Sequence, residues 1–199
     1  FALPTRTQSP IEPQERFVAA LDSALVADQA WRKAMDELGH FTTEAGHLPM
    51  MSPEARAVLL SLVIDAVSLT DRHNTQWLKG FVAAHDWPSR SVYGAVVAHH
   101  AWLIAQHADA DPVFQYRVSR LMAPLVARHE ASGGDFAYLT DRVQLAIGAP
   151  QTYATQFACI DHRFQPRNLA DPSHVDERRG QAGLEPLKLY AHYFPPRCD

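Results

Sequence analysis

The stretch AWLIAQHADADPVFQ, residues 101–115, decides how the middle of the chain folds. An apolar segment leads into His107, Asp109 and Asp111, and Pro112 follows directly. An aspartate before a proline is typical of a helix start, with the aspartate as N-cap and the proline at the first helical position. The stretch therefore predicts one helix that ends near His107 and another that begins at Pro112.

Outward from this junction, the spacing of apolar residues predicts further helices. The five predicted helices cover residues 15–38, 52–85, 89–107, 112–132 and 135–148. Ser52 before Pro53 marks the start of the second, Ser89 or Ser91 that of the third, and Asp135 that of the fifth. Because short connections are typical of antiparallel neighbours, we expect an antiparallel bundle of about five helices.

After Pro150 the sequence pattern changes from helical spacing of apolar residues to an alternating, strand-like pattern. Residues 151–161 alternate and contain β-branched and aromatic side chains, which predicts a strand, and the turn-rich segment 162–174 could return as a second strand. Two short helices are expected over 175–181 and 186–193. The predicted fold is mainly α, with a small C-terminal β-hairpin and irregular cap over about residues 150–199. We expect a mobile arm over 1–13 and a single helical domain over 14–199.

The composition excludes two classes of function. Hydrophobic residues make up 47% of the chain, the net charge is -4, and the 18 Lys and Arg residues form no basic run, so we expect no nucleic-acid partner. The longest apolar run, residues 57–69, is interrupted by Ser61 and Asp65, so no transmembrane segment is predicted.

The start of the chain and its two cysteines bear on localisation. The chain begins with Phe1 rather than Met, as it would after removal of a signal peptide or after trimming. Cys159 and Cys198 are compatible with one disulfide in an exported protein and equally with two free thiols in a cytoplasmic protein. We favour an exported or periplasmic protein over a cytoplasmic one.

Polar residues interrupt an apolar stripe on the second predicted helix. Asp71 and Asn74 fall in line with five apolar residues, namely Leu60, Ile64, Val67, Leu78 and Phe81. Because a buried carboxylate is costly unless it is paired, both side chains are expected to meet partners inside the bundle or to line a cleft. Alternatively, the helix bends near Thr70 and the two residues cap its second half.

On the third predicted helix, His100 and His107 share an apolar stripe. They lie two turns, about 10 Å, apart, which is too far for one metal ion without further ligands. His107 with Asp109 is the better candidate pair, since the chain leaves the helix there. Asp111 is interpreted as an N-cap, and Gln115, one turn further, could reach the same space.

A further group of polar residues surrounds the end of the fifth predicted helix. Arg142 borders its buried face, and Asp141 lies across from that face and is interpreted as a surface residue. In the predicted strand, the side chains of Gln151, Tyr153 and Thr155 point one way and that of Gln156 the other. Such a strand could be a sheet edge or could bind a polar ligand through hydrogen bonds.

Several of these segments together resemble a bacterial protein family described only as a domain of unknown function. The resembling segments are WLKGFVAAHDWP (77–88), WLIAQHADADPVFQ (102–115), YLTDRVQLAIGAPQTYATQ (138–156) and VDERRGQAGLEPLKLY (175–190). The family pattern recurs at Asp71, Asn74, residues 106–109, Gln115, residues 141–143, Gly148, Gln151 and residues 153–156. The resemblance implies a common site and gives Asp141 a salt-bridge or site role as an alternative to the surface. Ala154 stands where the pattern carries a glycine, which is typical of a tight backbone approach or a turn with positive φ.

The sequence suggests a small hydrolase or lyase without an organic cofactor. His107 would be the general acid or base, oriented by Asp71 or Asp109, and Arg142 would hold an anionic or carbonyl group. The predicted ligand-binding residues are Asn74, Gln115, Asp141, Gln151, Tyr153, Thr155 and Gln156, and the ligand would be small and polar or a peptide. A divalent metal at His107, Asp109 and Asp71 is the metal-assisted variant. The alternatives are a peptide- or sugar-binding module without turnover, and a polar core network without a site.

Overall fold

The structure, a computed structural model, describes residues 13–40 and 52–198 and confirms the mainly α-helical fold with a small hairpin. Within these residues lie helices α1 (Pro13–His40), α2 (Pro53–His85), α3 (Arg90–Tyr93), α4 (Ala95–Gln106), α5 (Pro112–Val126), α6 (Gly133–Ala146), α7 (Val175–Gln181) and α8 (Leu187–Tyr190), and strands β1 (Phe157–Ile160) and β2 (Arg163–Pro166). Five of the helices are long. Of the arm predicted over 1–13, residues 1–12 lie outside the described residues and Pro13 begins α1. Residues 41–51, between the first two predicted helices, also lie outside them.

Helices α1 and α2 run antiparallel. Near one end, the ring of Phe17 stacks on that of Phe81 with their centroids 3.6 Å apart. Further along α1, the carbonyl of Ala24 accepts a hydrogen bond of 3.3 Å from the side chain of Asn74. Helix α2 begins as predicted, since the hydroxyl of Ser52 accepts from the backbone N–H of Ala55.

Helix α4 lies at the centre of the bundle and packs against α1, α2, α5 and α6. Its small buried residues Ala98, Ala101 and Ala105 allow this close approach from several sides. The single helix predicted from Ser89 or Ser91 is divided into α3 and α4, because Gly94 has a φ of +85°. Among the described helices, none combines the length and the apolar character that crossing a bilayer requires.

Helices α5 and α6 follow the junction at residues 107–112. The carboxylate of Asp111 accepts from the backbone N–H of Phe114 at 3.0 Å, which confirms Asp111 as the N-cap of α5. Helix α5 ends at Val126, earlier than predicted, because the chain turns through His129 with a φ of +61°. Helix α6 is capped by Ser132 rather than Asp135, and the Ser132 hydroxyl accepts from the Asp135 N–H.

The C-terminal part is an irregular cap around a hairpin. Strands β1 and β2 pair antiparallel, with Phe157 opposite Pro166 and Ile160 opposite Arg163. The strand predicted from residue 151 is too long: residues 152–156 form a loop, and Gln151 makes only an isolated bridge with Leu169. Cys159 and Cys198 form a disulfide that attaches the C-terminal tail to β1.

Candidate functional site

Four polar residues meet where α1, α2 and the end of α4 come together. This group, here called the His107 cluster, consists of Asp28 and Arg32 on α1, Asp71 on α2 and His107 at the end of α4. A nitrogen of the Arg32 guanidinium donates to Asp71 Oδ1 at 2.6 Å. The Nε atom of Arg32 lies 3.1 Å from His107 Nδ1 and 3.3 Å from Asp28 Oδ1. His107 Nδ1 also lies 2.9 Å from the same oxygen of Asp28.

Helical periodicity brings Asp28 and Arg32 into the cluster. The buried face of α1 continues the apolar series of Phe17, Leu21 and Leu25 at spacings of three and four residues, and Asp28 and Arg32 follow on the same stripe. Asp28 is only 2% exposed as a result. Neither residue was among the predicted site residues, although the stripe argument applied to α2 would have found both on α1.

An open cavity of about 280 Å³ adjoins the cluster. Asp71 and His107 both line it, so the two side chains face one region. The remaining lining residues are Arg72, Thr75, Gln76, Ala108, Ala110 and Asp111. A small polar molecule in this cavity would therefore have access to an imidazole and a carboxylate together.

The proton on His107 decides which of two hydrogen bonds its Nδ1 makes. If Nδ1 carries the proton, it donates to Asp28 Oδ1, and the Nε2 lone pair of the neutral ring faces the side-chain amide nitrogen of Gln106 at 3.4 Å. If Nδ1 is unprotonated, it accepts from Arg32 Nε, and Nε2 carries the proton. The surroundings thus accommodate both neutral tautomers of the imidazole.

The two carboxylates of the cluster have pKa values shifted in opposite directions. Burial works to raise the pKa of Asp28, but the hydrogen bond from His107 and the positive charges of His107 and Arg32 outweigh it and lower the pKa. Burial raises the pKa of Asp71, and Arg32 offsets this only in part. Asp28 is therefore the ionised partner of His107, and Asp71 keeps its proton to a higher pH.

Three residues of the cluster could also converge on a metal ion. Asp28, Asp71 and His107 each offer one ligand atom, and these atoms lie within 4.8 Å of one another. The guanidinium of Arg32 contacts all three residues, so it already supplies a positive charge there and an ion would have to displace it. Asp109, predicted as the third metal ligand, is not part of this group.

The structure places Asp109 on the other side of the turn that follows α4. Both carboxylate oxygens of Asp109 accept from one nitrogen of Arg142, at 2.7 and 2.8 Å. The side-chain amide of Gln115 donates to Asp109 Oδ1 at 3.1 Å. These three residues line a second cavity of about 280 Å³ together with Leu145, Ala146, Gln156 and Arg167. The predicted catalytic residues are thus divided between two cavities: Asp71 and His107 line the first, and Asp109 and Arg142 line the second.

Asp141 is buried, so its interpretation as a surface residue is wrong. Its carboxylate accepts from the backbone N–H groups of Thr152, Tyr153 and Thr155 at 2.7 to 2.9 Å. It also accepts from the Thr155 hydroxyl at 2.9 Å. Asp141 therefore holds the loop that follows α6, and its hydrogen bonds go to the protein itself.

Gln151 and Asn74 likewise bind the protein's own backbone. The side-chain amide of Gln151 donates to the carbonyls of Gln156, at 2.9 Å, and Arg167, and its amide oxygen accepts from the Gln156 N–H. These bonds fix the loop and the residue that follows β2. Asn74 is bound to the carbonyl of Ala24 and joins α2 to α1.

Ala154 adopts the backbone conformation that the glycine of the family pattern implied. Its φ is +55°, in the left-handed region that favours glycine, and its side chain is fully buried. The carbonyls of Tyr153 and Ala154 accept from Arg179, which is itself fully buried. These contacts hold the turn in place although the residue is not a glycine.

The fold and the site define a mainly α-helical protein with a polar His–Asp–Arg cluster beside an open cavity. A model of the family described as "Family of unknown function (DUF6624)" matches residues 18–195, so the chain belongs to this family. The predicted resemblance to a domain of unknown function is confirmed. No curated protein and no solved structure matches the chain.

Proposed function

We propose that the His107 cluster is the centre of a small hydrolase- or lyase-type enzyme that works by general acid–base catalysis. The observation that carries this proposal is the 2.9 Å contact between His107 Nδ1 and the buried Asp28 carboxylate at the wall of an open cavity. When Nδ1 carries the proton and donates it to this carboxylate, Nε2 is the nitrogen left for proton transfer.

Each residue of the cluster has a role in this proposal. Asp28 orients His107 and stabilises the imidazolium that forms when Nε2 takes a proton from water or substrate. His107 then returns that proton to the leaving group, so the imidazole is unchanged after each turnover. Asp71, whose pKa is raised by burial, is the second proton donor or acceptor in the cavity. Arg32 positions both carboxylates by contacting each of them.

The competing interpretation is a polar network that only fixes how α1, α2 and α4 pack. It is favoured by the position of Arg32, which contacts the other three residues. A structural network predicts that a change at His107 affects stability alone. An acid–base site predicts a loss of turnover in a protein that remains folded.

The test compares wild type with His107→Gln on chromogenic ester, amide, phosphoester and glycoside substrates. We expect wild type to turn over at least one of them and His107→Gln to be about 100-fold slower or worse. The matched control is His100→Gln, two turns away on the same helix, which should keep the wild-type rate. Thermal unfolding of both variants establishes that they are folded. Wild-type rates no higher than those of His107→Gln across the panel contradict the proposal.

A further inference from the structure

The second cavity is lined mainly by charged and amide side chains. Its polar residues come from the turn after α4, from α5 and α6, and from the segment around the hairpin: Asp109, Gln115, Arg142, Gln156 and Arg167. The lining contains two arginines and one aspartate, so it carries one excess positive charge. This excess gives the cavity a preference for an anion.

Arg142 was the residue predicted to hold an anionic group, but its charge is already paired. One of its terminal nitrogens donates to both oxygens of Asp109 at 2.7 and 2.8 Å. The two charges compensate each other at the wall of the cavity. The positive charge left over in the cavity therefore belongs to Arg167.

Arg167 combines a fixed backbone with an uncommitted side chain. Its N–H donates to the carbonyl of Gln156 at 3.0 Å, and its own carbonyl accepts from the side chain of Gln151. Its side chain is exposed, and within residues 13–40 and 52–198 the guanidinium has no hydrogen bond or ion pair. A guanidinium on a rigid base can pair with a carboxylate or phosphate without first breaking an internal ion pair.

The guanidinium of Arg167 can only donate hydrogen bonds, whereas the side-chain amide oxygens of the two glutamines in the cavity accept them. The Gln115 amide nitrogen donates to the Gln106 carbonyl at 2.9 Å and to Asp109, and that of Gln156 donates to the Thr155 hydroxyl at 3.1 Å. Neither amide oxygen has a donor among the described residues. The cavity therefore presents acceptors for the hydroxyl or N–H groups of a ligand close to a cation for its anionic group.

We propose that the second cavity binds a small organic anion whose carboxylate or phosphate pairs with Arg167. The hydroxyl or N–H groups of the same ligand would donate to the amide oxygens of Gln115 and Gln156. This site lies across the 107–111 turn from the His107 cluster, and its occupancy does not depend on the acid–base function proposed for that cluster.

The test is an NMR titration of the folded chain at low ionic strength, because salt screens an exposed guanidinium. The two probes are N-acetylglycine, which carries a carboxylate beside an N–H, and glycerol 3-phosphate, which carries a phosphate beside hydroxyls. We expect saturable shifts of the Gln115 and Gln156 side-chain amides, with a Kd of the order of 1 mM for at least one probe. Arg167→Gln should weaken this binding at least tenfold, and Arg167→Lys should weaken it less.

The matched control is Arg163→Gln, which removes an exposed arginine of β2, four residues before Arg167. Binding should be unchanged in Arg163→Gln and also in His107→Gln, so failure of the acid–base proposal leaves this result unaffected. Saturation by one probe alone supports the proposal and assigns the ligand class as carboxylate or phosphate, and saturation by both supports a general anion site. Absence of saturation with both probes, or equal loss in Arg163→Gln and Arg167→Gln, overturns it.

Discussion

At the scale of single residues, the two carboxylates of the His107 cluster, Asp28 and Asp71, have pKa values shifted in opposite directions. Both contact Arg32, but only Asp28 also lies against His107 Nδ1. For Asp28 the hydrogen bond and the charges of its partners outweigh burial, whereas for Asp71 burial prevails. The pair is thus divided into a carboxylate that stays ionised and one that holds a proton to a higher pH.

The lowered pKa of Asp28 makes stability depend on pH. The pKa of Asp28 is lower in the folded protein than in the unfolded chain, so Asp28 contributes fully to stability above about pH 4. This contribution is lost as the pH falls through the pKa of the folded state. Asp28→Asn should lose about 1–3 kcal/mol of unfolding free energy at pH 7 and show a shallower decline in acid. Urea unfolding between pH 7 and pH 3 measures both effects.

The control for this prediction is Asp65→Asn, which changes an exposed aspartate on α2. Its unfolding free energy at pH 7 should stay within about 0.5 kcal/mol of wild type. A variant with Asn at position 28 that unfolds like wild type at every pH would show that Asp28 is not held as an ion by His107 and Arg32.

At the scale of elements, one buried carboxylate connects helix α6 to the loop that precedes β1. Asp141 accepts four short hydrogen bonds from residues 152–155, three of them from backbone N–H groups. An ionised carboxylate suits this place because it only accepts, whereas an asparagine would turn an NH₂ group toward backbone donors. The loop is therefore ordered by a side chain more than ten residues earlier in the chain.

Asp141→Asn should destabilise the protein by about 3 kcal/mol, because buried donors lose a charged acceptor. Thr155→Val removes only the hydroxyl donor and should cost about 1 kcal/mol. Hydrogen exchange followed by NMR should show faster exchange at Thr152, Tyr153 and Thr155 in Asp141→Asn, with the core of α4 still protected. Equal losses in the two variants, or unchanged exchange of these amides, would contradict the role assigned to Asp141.

At the scale of the whole molecule, a disulfide closes the C-terminal cap. Cys159 and Cys198 are separated by 39 residues, and the tail between α8 and Cys198 also stacks Phe194 on Phe157 at 4.4 Å. The crosslink reduces the conformational freedom of the unfolded chain. Of the two alternatives that the sequence leaves open for these cysteines, the structure shows the disulfide.

The double variant Cys159→Ser with Cys198→Ser should lose about 2–4 kcal/mol of unfolding free energy. A thiol reductant should lower the stability of wild type by a similar amount and leave the double variant unchanged. Urea unfolding with and without the reductant measures this difference. If the reductant destabilises both proteins equally, its effect does not come from this disulfide.

Local signals in the sequence were enough for most helix boundaries and for part of the site. Ser52 before Pro53 and Asp111 before Pro112 predicted two helix starts correctly, because an N-cap bonds only to residues of its own first turn. The inward position of Asp71 also followed from periodicity. The strand predicted over 151–161 begins only at Phe157, because Asp141 and Gln151 take up backbone groups that a strand over 151–156 would have paired.

What the sequence by itself determined is the set of helices and the faces on which their polar residues lie. Tertiary structure decided which of those residues meet: His107 pairs with Asp28, 79 positions away, and not with Asp109, two positions away. Spacing along a helix describes a face, whereas a partner depends on which face of another helix packs against it. At the end of α4 the chain turns, and that turn places Asp109 beside Arg142 and the second cavity.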